Sequence, residues 1–339
     1  MHIQFFVPGL LWPGLQTEAP TRGLSTPALE RLLGIAACEL TPGRGSEAAL
    51  LGLFGLPPRS SLAALRRLGE AAMPVAETAS WLCADPVGLR FAREHLLLIE
   101  GAELDIAADE ATALVEGLNR EFGDIGRFEM AGPSRWYLRL THPTPTEFAP
   151  LADVVGRPVA HFMPSGEGAA GWHRLINETQ VWLHNHPVNQ AREAAGRQTI
   201  NSLWPWGGGE ALPPATAPAA TVVGDGTLLG GLCRSAGTTS RDSSIGAVLD
   251  AGADVLACFD GAAEAARHLD LGAWQRALAQ FDEGWLAPAM DALRRRRLQG
   301  ITLLAPGDRA SLVARLERPR LWPVWKRPTP LQAFIGRQR

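Results

Sequence analysis

The chain of 339 residues has no run of about 18 consecutive apolar residues, so no segment reads as a membrane-spanning helix. It does not open on a basic segment followed by a long apolar stretch, so no secretory leader is expected. Four cysteines, Cys38, Cys83, Cys233 and Cys258, stand singly without CxxC spacing. They exclude a disulfide framework and read as reduced core thiols of a cytoplasmic protein. Charge of one sign is equally scarce. A net charge of -3 and a pI near 6.3 leave no footprint for nucleic acid, and no membrane partner is expected either. Internal repeats and low-complexity tracts are missing. Tryptophan and proline are plentiful, at 11 and 26, but say nothing about chemistry.

What is present is an alternation of elements. Residues 3–7 form a β-branched and aromatic run stopped by Pro8-Gly9, a strand and a loop. Thr26-Pro27 reads as a cap with proline at the first helical position, opening a helix to about Cys38. A second helix covers 46–54, and Ser60 or Ser61 caps a third. A strand at 95–99, an amphipathic helix at 109–122, half-buried strands at 128–130 and 136–140 and a helix at 172–183 make an α+β unit of roughly 100 residues.

From Thr199 the pattern is strand, helix, strand, helix. Residues 220–223, 254–259 and 301–305 are continuous apolar runs, as in strands buried on both faces of a parallel sheet. Helices are expected at 227–236 and 243–251, and Trp274, Ala277, Leu278, Phe281, Trp285 and Leu286 fall at helical spacing. Residues 212–218 read as a Pro/Ala loop. The pattern predicts an α/β three-layer sandwich with a mostly parallel central sheet and ligands at the carboxyl ends of its strands. The core is expected at 1–90 and 195–339, and a smaller inserted α+β domain at 91–194.

Five segments carry a specific resemblance: PGRGSEAALLGLFGLP (42–57), HNHPVN (184–189), TINSLWPWGGG (199–209), the Glu264–His268 pair, and APGDR (305–309). Together they resemble the archaeal-type cofactor-independent phosphoglycerate mutases of the alkaline phosphatase superfamily. The resemblance implies a nucleophile at Ser46 and two divalent metal ions, manganese or zinc, held by carboxylates and imidazoles. Two ions suit phosphoryl transfer because charge develops on both the attacking and the leaving oxygen. It assigns Glu264, His268 and Asp308 to metal, and His186, Asn189 and Arg192 to substrate contact. Arg309 falls where the family has a histidine. It can clamp a phosphate but cannot ligate a cation, since a guanidinium has only donors.

Bland readings stand beside these. Ser46 can be a plain helix cap, and Glu264 and His268 a solvated pair. Arg294 to Arg297 suit the end of a helix. Trp204, Trp206, Trp322 and Trp325 can be packing or a stacking pocket.

The departures are as informative as the matches. Val7-Pro8-Gly9 stands where the family's first strand ends in a metal-binding Asp-Gly, and residues 317–324 lack the family's last histidine. The shortened, metal-depleted form is most similar to the bacterial RpfE-type regulatory proteins. The leading expectation is a non-catalytic protein that binds a phosphorylated metabolite or protein partner in a regulatory role. The alternative is an active metal-dependent phosphatase or phosphotransferase with Ser46 as nucleophile and a remodelled metal site. A purely structural subunit would scatter Ser46, Glu264, His268 and Asp308 in space.

Overall fold

A computed structural model describes residues 1–13, 19–70, 79–92, 94–210, 213–318 and 325–338. Among the earlier expectations, Trp322, Leu212 and the histidine-free stretch from 319 to 324 lie outside the described residues. The chain separates into two compact units, one of residues 1–58, 214–229 and 233–339, the other of 59–213 with 230–232. The sequence reading drew the insert more narrowly.

In chain order the first unit opens with β1 (His2–Phe6), α1 (Pro27–Ile35), β2 (Ala37–Pro42) and α2 (Ser46–Leu53). The second unit carries α3 (Leu62–Gly69), β3 (Trp81–Ala92), β4 (His95–Glu100), α4 (Ala108–Glu121), β5 (Gly126–Gly132) and β6 (Arg135–Leu140). It continues with α5 (Leu151–Val154), α6 (Ala169–Asn185), α7 (Pro187–Ala194) and β7 (Ser202–Trp206). The chain then forms β8 (Thr221–Val223), α8 (Thr227–Ser235), β9 (Ser240–Arg241), α9 (Ile245–Ala251), β10 (Val255–Cys258) and α10 (Gly261–Arg267). Last come α11 (Leu271–Phe281), α12 (Ala287–Arg294), β11 (Gly300–Ala305), β12 (Ala310–Glu317) and α13 (Gln332–Ile335).

The first unit is built on a seven-stranded sheet of order β2-β12-β11-β1-β10-β8-β9. β1 lies parallel to both β10 and β11, and β8 parallel to β10 and β9. β12 runs antiparallel to β11 and to β2, so β2 points the same way as β1. Ile3, Phe5, Leu256, Ala257, Ile301 and Leu303 are fully buried, as strands covered on both faces require. The mixed α/β architecture expected from the sequence is therefore what the chain adopts.

Local details differ from the sequence reading where tertiary contacts intervene. The first helix stops at Ile35, because Ala36 turns extended and Cys38 is drawn into β2 against β12. Thr26 occupies its cap position but makes no capping bond. The buried Asp282 caps the helix instead, accepting from the Ala28 and Leu29 amides at 3.2 and 2.6 Å. Asp282 sits where α11 passes through a π-helical turn, 282–286, into α12.

The second unit has its own sheet, β4-β3-β6-β5 with β7 on β3. The WPWG strand belongs here, antiparallel to β3, and does not join the parallel sheet that follows it in sequence. Its tryptophans are core. Trp204 Nε1 donates to the Ala149 carbonyl at 3.0 Å, and Trp206 Nε1 donates to Asp85 at 2.9 Å. Asp85, 1% exposed, also accepts from Arg66 at 2.7 Å and from the Trp136 amide at 3.1 Å. The Arg66 guanidinium stacks over Trp206 and Tyr137, and the Tyr137 hydroxyl donates to the buried Glu70 at 2.9 Å. One carboxylate thus joins α3, β3, β6 and β7. Breaking a buried pair leaves a charge without its partner. Asp85→Ala is expected to cost about 3–5 kcal/mol in urea unfolding followed by tryptophan fluorescence.

Candidate functional site

Because β1, β2, β8, β10 and β11 share one direction, their carboxyl ends meet at one edge of the first unit's sheet. The residues just beyond those ends are Val7-Pro8-Gly9, Gly43-Arg44-Gly45-Ser46, Gly224-Asp225, Phe259-Asp260 and Pro306-Gly307-Asp308. This edge is where open α/β sheets bind ligands.

Two of these loops are tied together by backbone. The Gly43 amide donates to the Arg309 carbonyl at 3.0 Å, and the Gly45 amide to that of Gly307 at 3.3 Å. Any side chain at Gly43 would collide with Gly307 and Asp308. Gly45, at φ +79°, turns the chain into α2, and a β-carbon there would lie 3.9 Å from Asp308 Oδ1. The Asp308 carboxylate therefore sits at the entrance of α2, where Gly45 holds the cap position and Ser46 is the first helical residue. Ser46, Asp308 and Arg309 are thus neighbours, and the side chains of Asp308 and Arg309 are exposed.

Three further carboxylates share this edge. Burial pushes the Glu47 carboxyl above the ordinary range; a bond to its own amide and the charge of Arg267 pull it down, and Asp308 pushes it up again. Burial likewise raises Asp260. Asp225 and Glu47 add to the rise and Arg267 opposes it. Asp260 keeps solvent access, which screens part of this effect. Among the described residues, Asp225, Asp260 and Asp308 make no hydrogen bond or ion pair through their side chains.

The sequence reading missed Glu47, Asp225, Asp260 and Arg267. The rule that ligands gather at strand ends could have found two of them, because Asp225 and Asp260 directly follow apolar strands. Glu264 is exposed one turn further along α10, and His268, also exposed, closes that helix with its amide bonded to the Glu264 carbonyl at 3.2 Å.

The end of β1 is shut. Val7 is 1% exposed, and a β-carbon at Gly9 would stand 2.5 Å from Cα of Ala263 in α10. Trp274 Nε1 donates to the Gly9 carbonyl at 2.7 Å and secures the contact. None of Val7, Pro8 and Gly9 carries a side-chain ligand atom. The edge offers carboxylates, one serine and no imidazole from the strand-end loops, with Arg44, Arg267 and Arg309 among them. That set does not fit the two-ion constellation of carboxylates and imidazoles that the family resemblance implies. The thiols are no substitute nucleophiles. Burial raises Cys38, Cys83 and Cys258, and raises Cys233 to about 11.

His186, Asn189 and Arg192 lie in the second unit. His186 caps α7, its Nδ1 accepting from the Val188 amide at 3.3 Å, and its ring packs on Trp182. Asn189, 2% exposed, gives its amide to the Leu183 and Ile200 carbonyls and accepts from the Ile200 amide. Arg192, 1% exposed, binds the Gln198 and Leu104 carbonyls and Glu110. Asn189 and Arg192 are committed to holding α7 and its flanking loops. The basic run ends α12 as a solvated terminus, with Arg294 and Arg295 paired to Asp291 and Arg297 to Asp250. Among the described residues, no helix is long and apolar enough to cross a membrane.

No family model matches the chain. It is 30% identical to the 2,3-bisphosphoglycerate-independent phosphoglycerate mutase of Methanosarcina mazei over 179 residues, 51% of this chain and 44% of that one. The match thus spans less than half the length of that relative. A second such mutase, from Methanothrix thermoacetophila, is 25% identical over 87% of this chain and 82% of its own. Among solved structures, the PH0037 protein of Pyrococcus horikoshii superimposes with a TM-score of 0.56 at 16% identity, covering 98% of this chain and 91% of that one. The chain is similar, at low identity, to cofactor-independent phosphoglycerate mutases of the alkaline phosphatase superfamily.

Proposed function

We propose that the protein is a non-catalytic relative of these mutases that binds a phosphorylated metabolite or a protein partner in a regulatory role, in the manner of the RpfE-type proteins. The end of β1 carries this reading: buried Pro8, which has no ligand atom in its side chain, stands where the resemblance places a metal-binding Asp, and Gly9 beside it packs against α10. A tight site needs three or four well-placed ligands per ion, and the strand ends do not supply them for two. A phosphoryl group would meet the first-turn amides of α2, the Ser46 hydroxyl and Arg309. The surrounding carboxylates oppose it, so binding is stronger at lower pH.

A second reading is favoured by one observation. Asp225, Asp260 and Asp308 are unpaired among the described residues, and unpaired carboxylates attract hard divalent cations. On that reading Ser46 is the nucleophile of a metal-dependent phosphatase or phosphotransferase, Glu264, His268 and Asp308 contribute to the metal site, and Arg309 clamps phosphate.

Assays with p-nitrophenyl phosphate and 3-phosphoglycerate, each with manganese, zinc or magnesium, separate the two. The expected result is turnover no higher than the blank, unchanged in Ser46→Ala. Turnover that disappears in Ser46→Ala would establish the second reading instead.

A pH profile gives an independent check. Glu47 and Asp260 titrate higher in the folded chain than the ordinary values of 4.5 and 3.8. Their protonated forms favour folding, so this contribution is full below those ordinary values and is lost as pH rises through the raised ones. Glu47→Gln should therefore raise the melting temperature at pH 7, and its advantage should shrink toward pH 5. An equal advantage at both pH values would contradict this electrostatic account.

A further inference from the structure

We propose that the second unit carries a binding site for a small zwitterion, an amino acid with an aliphatic side chain. The site is a cavity of about 360 Å³ lined by Arg90, Ile99, Leu104, Asp105 and Arg197. It is built from residues of the second unit alone, so it stands independently of the strand-end edge and of what binds there.

Local structure fixes the walls of this cavity. In the β3–β4 pairing Gly88 lies opposite Ile99 and Arg90 opposite Leu97, so Gly88, Arg90 and Ile99 share one face of the sheet. A β-carbon at Gly88 would stand 3.1 Å from Leu104 Cδ2, and the bare backbone there lets Leu104 and Ile99 form an apolar floor. The loop after Leu104 is clamped from the end of α7. Arg192 donates to the Leu104 carbonyl and Arg197 to the Asp105 carbonyl, and both guanidinium groups also hold Glu110, at 2.6 and 2.9 Å. So held, Asp105 is left-handed at φ +46°, a region that aspartate enters more readily than most residues.

Two charges of the wall keep spare capacity. Among the described residues, Arg90 makes no hydrogen bond or ion pair through its side chain. The Asp105 carboxylate is fully exposed, and its ion pair is a loose 3.9 Å contact with Arg197. The Nη1 and Nη2 of Arg197 already serve Glu110 and the Asp105 carbonyl. One open cation, one open anion and an apolar floor match a molecule with a carboxylate, an ammonium and a short hydrocarbon. Arg90 takes the carboxylate in a two-point contact, Asp105 the ammonium, and Ile99 and Leu104 the side chain. The volume lies near the lower end of the about 300–1,000 Å³ of small-molecule sites, as a ligand of this size requires. A phosphate ester fits less well, because Glu103 lines the cavity beside Asp105 and both carboxylates repel a dianion.

The test is titration calorimetry of the full chain with L-leucine, 4-methylpentanoate, 3-methylbutylamine and inorganic phosphate. Leucine is expected to bind one-to-one with a Kd below about 1 mM, and the other three probes at least about tenfold more weakly. Arg90→Met and Asp105→Asn should each weaken leucine at least about tenfold at an unchanged melting temperature, because both side chains are exposed and asparagine also accepts the left-handed turn. Arg90→Lys, which keeps the charge but loses the two-point contact, should fall between wild type and Arg90→Met. A single-ended probe or phosphate that binds as tightly as leucine overturns the zwitterion. Leucine affinity that survives Arg90→Met overturns the placement of the site, and a silent titration with all four probes overturns the site itself.

Discussion

The closest constraint in the first unit is the meeting of two backbones at Gly43 and Gly307. No side chain fits between them, and the amides of Gly43 and Gly45 are spent on the Arg309 and Gly307 carbonyls. That contact exists because β12 reverses direction beside β11 and β2 reverses again beside β12. The double reversal brings the end of β2 to the same edge as the ends of β1, β8, β10 and β11. Ser46 follows three residues later, on a helix whose first amides face that edge. Asp308 then stands beside it as a consequence of chain geometry, without any bond between the two side chains.

Electrostatics decides what this edge can hold. Two like charges about 4 Å apart repel by about 1 kcal/mol in water and about 4 kcal/mol near a protein surface. A helix N-terminus offers an anion only about 0.3–1 kcal/mol. Four carboxylates (Glu47, Asp225, Asp260 and Asp308) against three arginines (Arg44, Arg267 and Arg309) leave the edge slightly negative, and the α2 terminus alone adds little to that balance. In an alkaline-phosphatase-type site, metal ions reverse that sign. Here the closed end of β1 removes one source of ligands, and an arginine stands among the acids that remain. The second unit handles charge differently, enclosing Asp85 with Arg66 and two ring or backbone donors so that burial and pairing cancel.

Much of the fold could be read in advance. The apolar runs at 220–223, 254–259 and 301–305 became parallel strands of one sheet, and 109–122 became a helix within one residue at each end. The PGRGS segment was legible for a physical reason, since a glycine pair before a serine announces both a tight turn and a helix start. The site was legible only in part. The loops that carry Ser46, Asp308 and Arg309 meet through backbone bonds. Asp260 was passed over in favour of Glu264 because helical spacing to His268 is visible in a sequence, whereas proximity across loops is not. Asn189 and Arg192 were read as substrate contacts because polar residues in a recognisable motif look available. Their burial and their carbonyl partners come from segments distant in sequence.

By itself the sequence determined the class of fold, the order of its elements and the loops that carry polar residues, because periodicity, proline and glycine act over a few neighbours. Tertiary structure decided which strands share a sheet, sending WPWG to β3. It placed Asp282, from far along the chain, as the cap of α1. It also decided which charges feel one another, bringing Arg267 within electrostatic reach of Glu47 across more than two hundred residues of sequence. Charge and close packing act through space, so a linear pattern cannot report which carboxylate will face which cation.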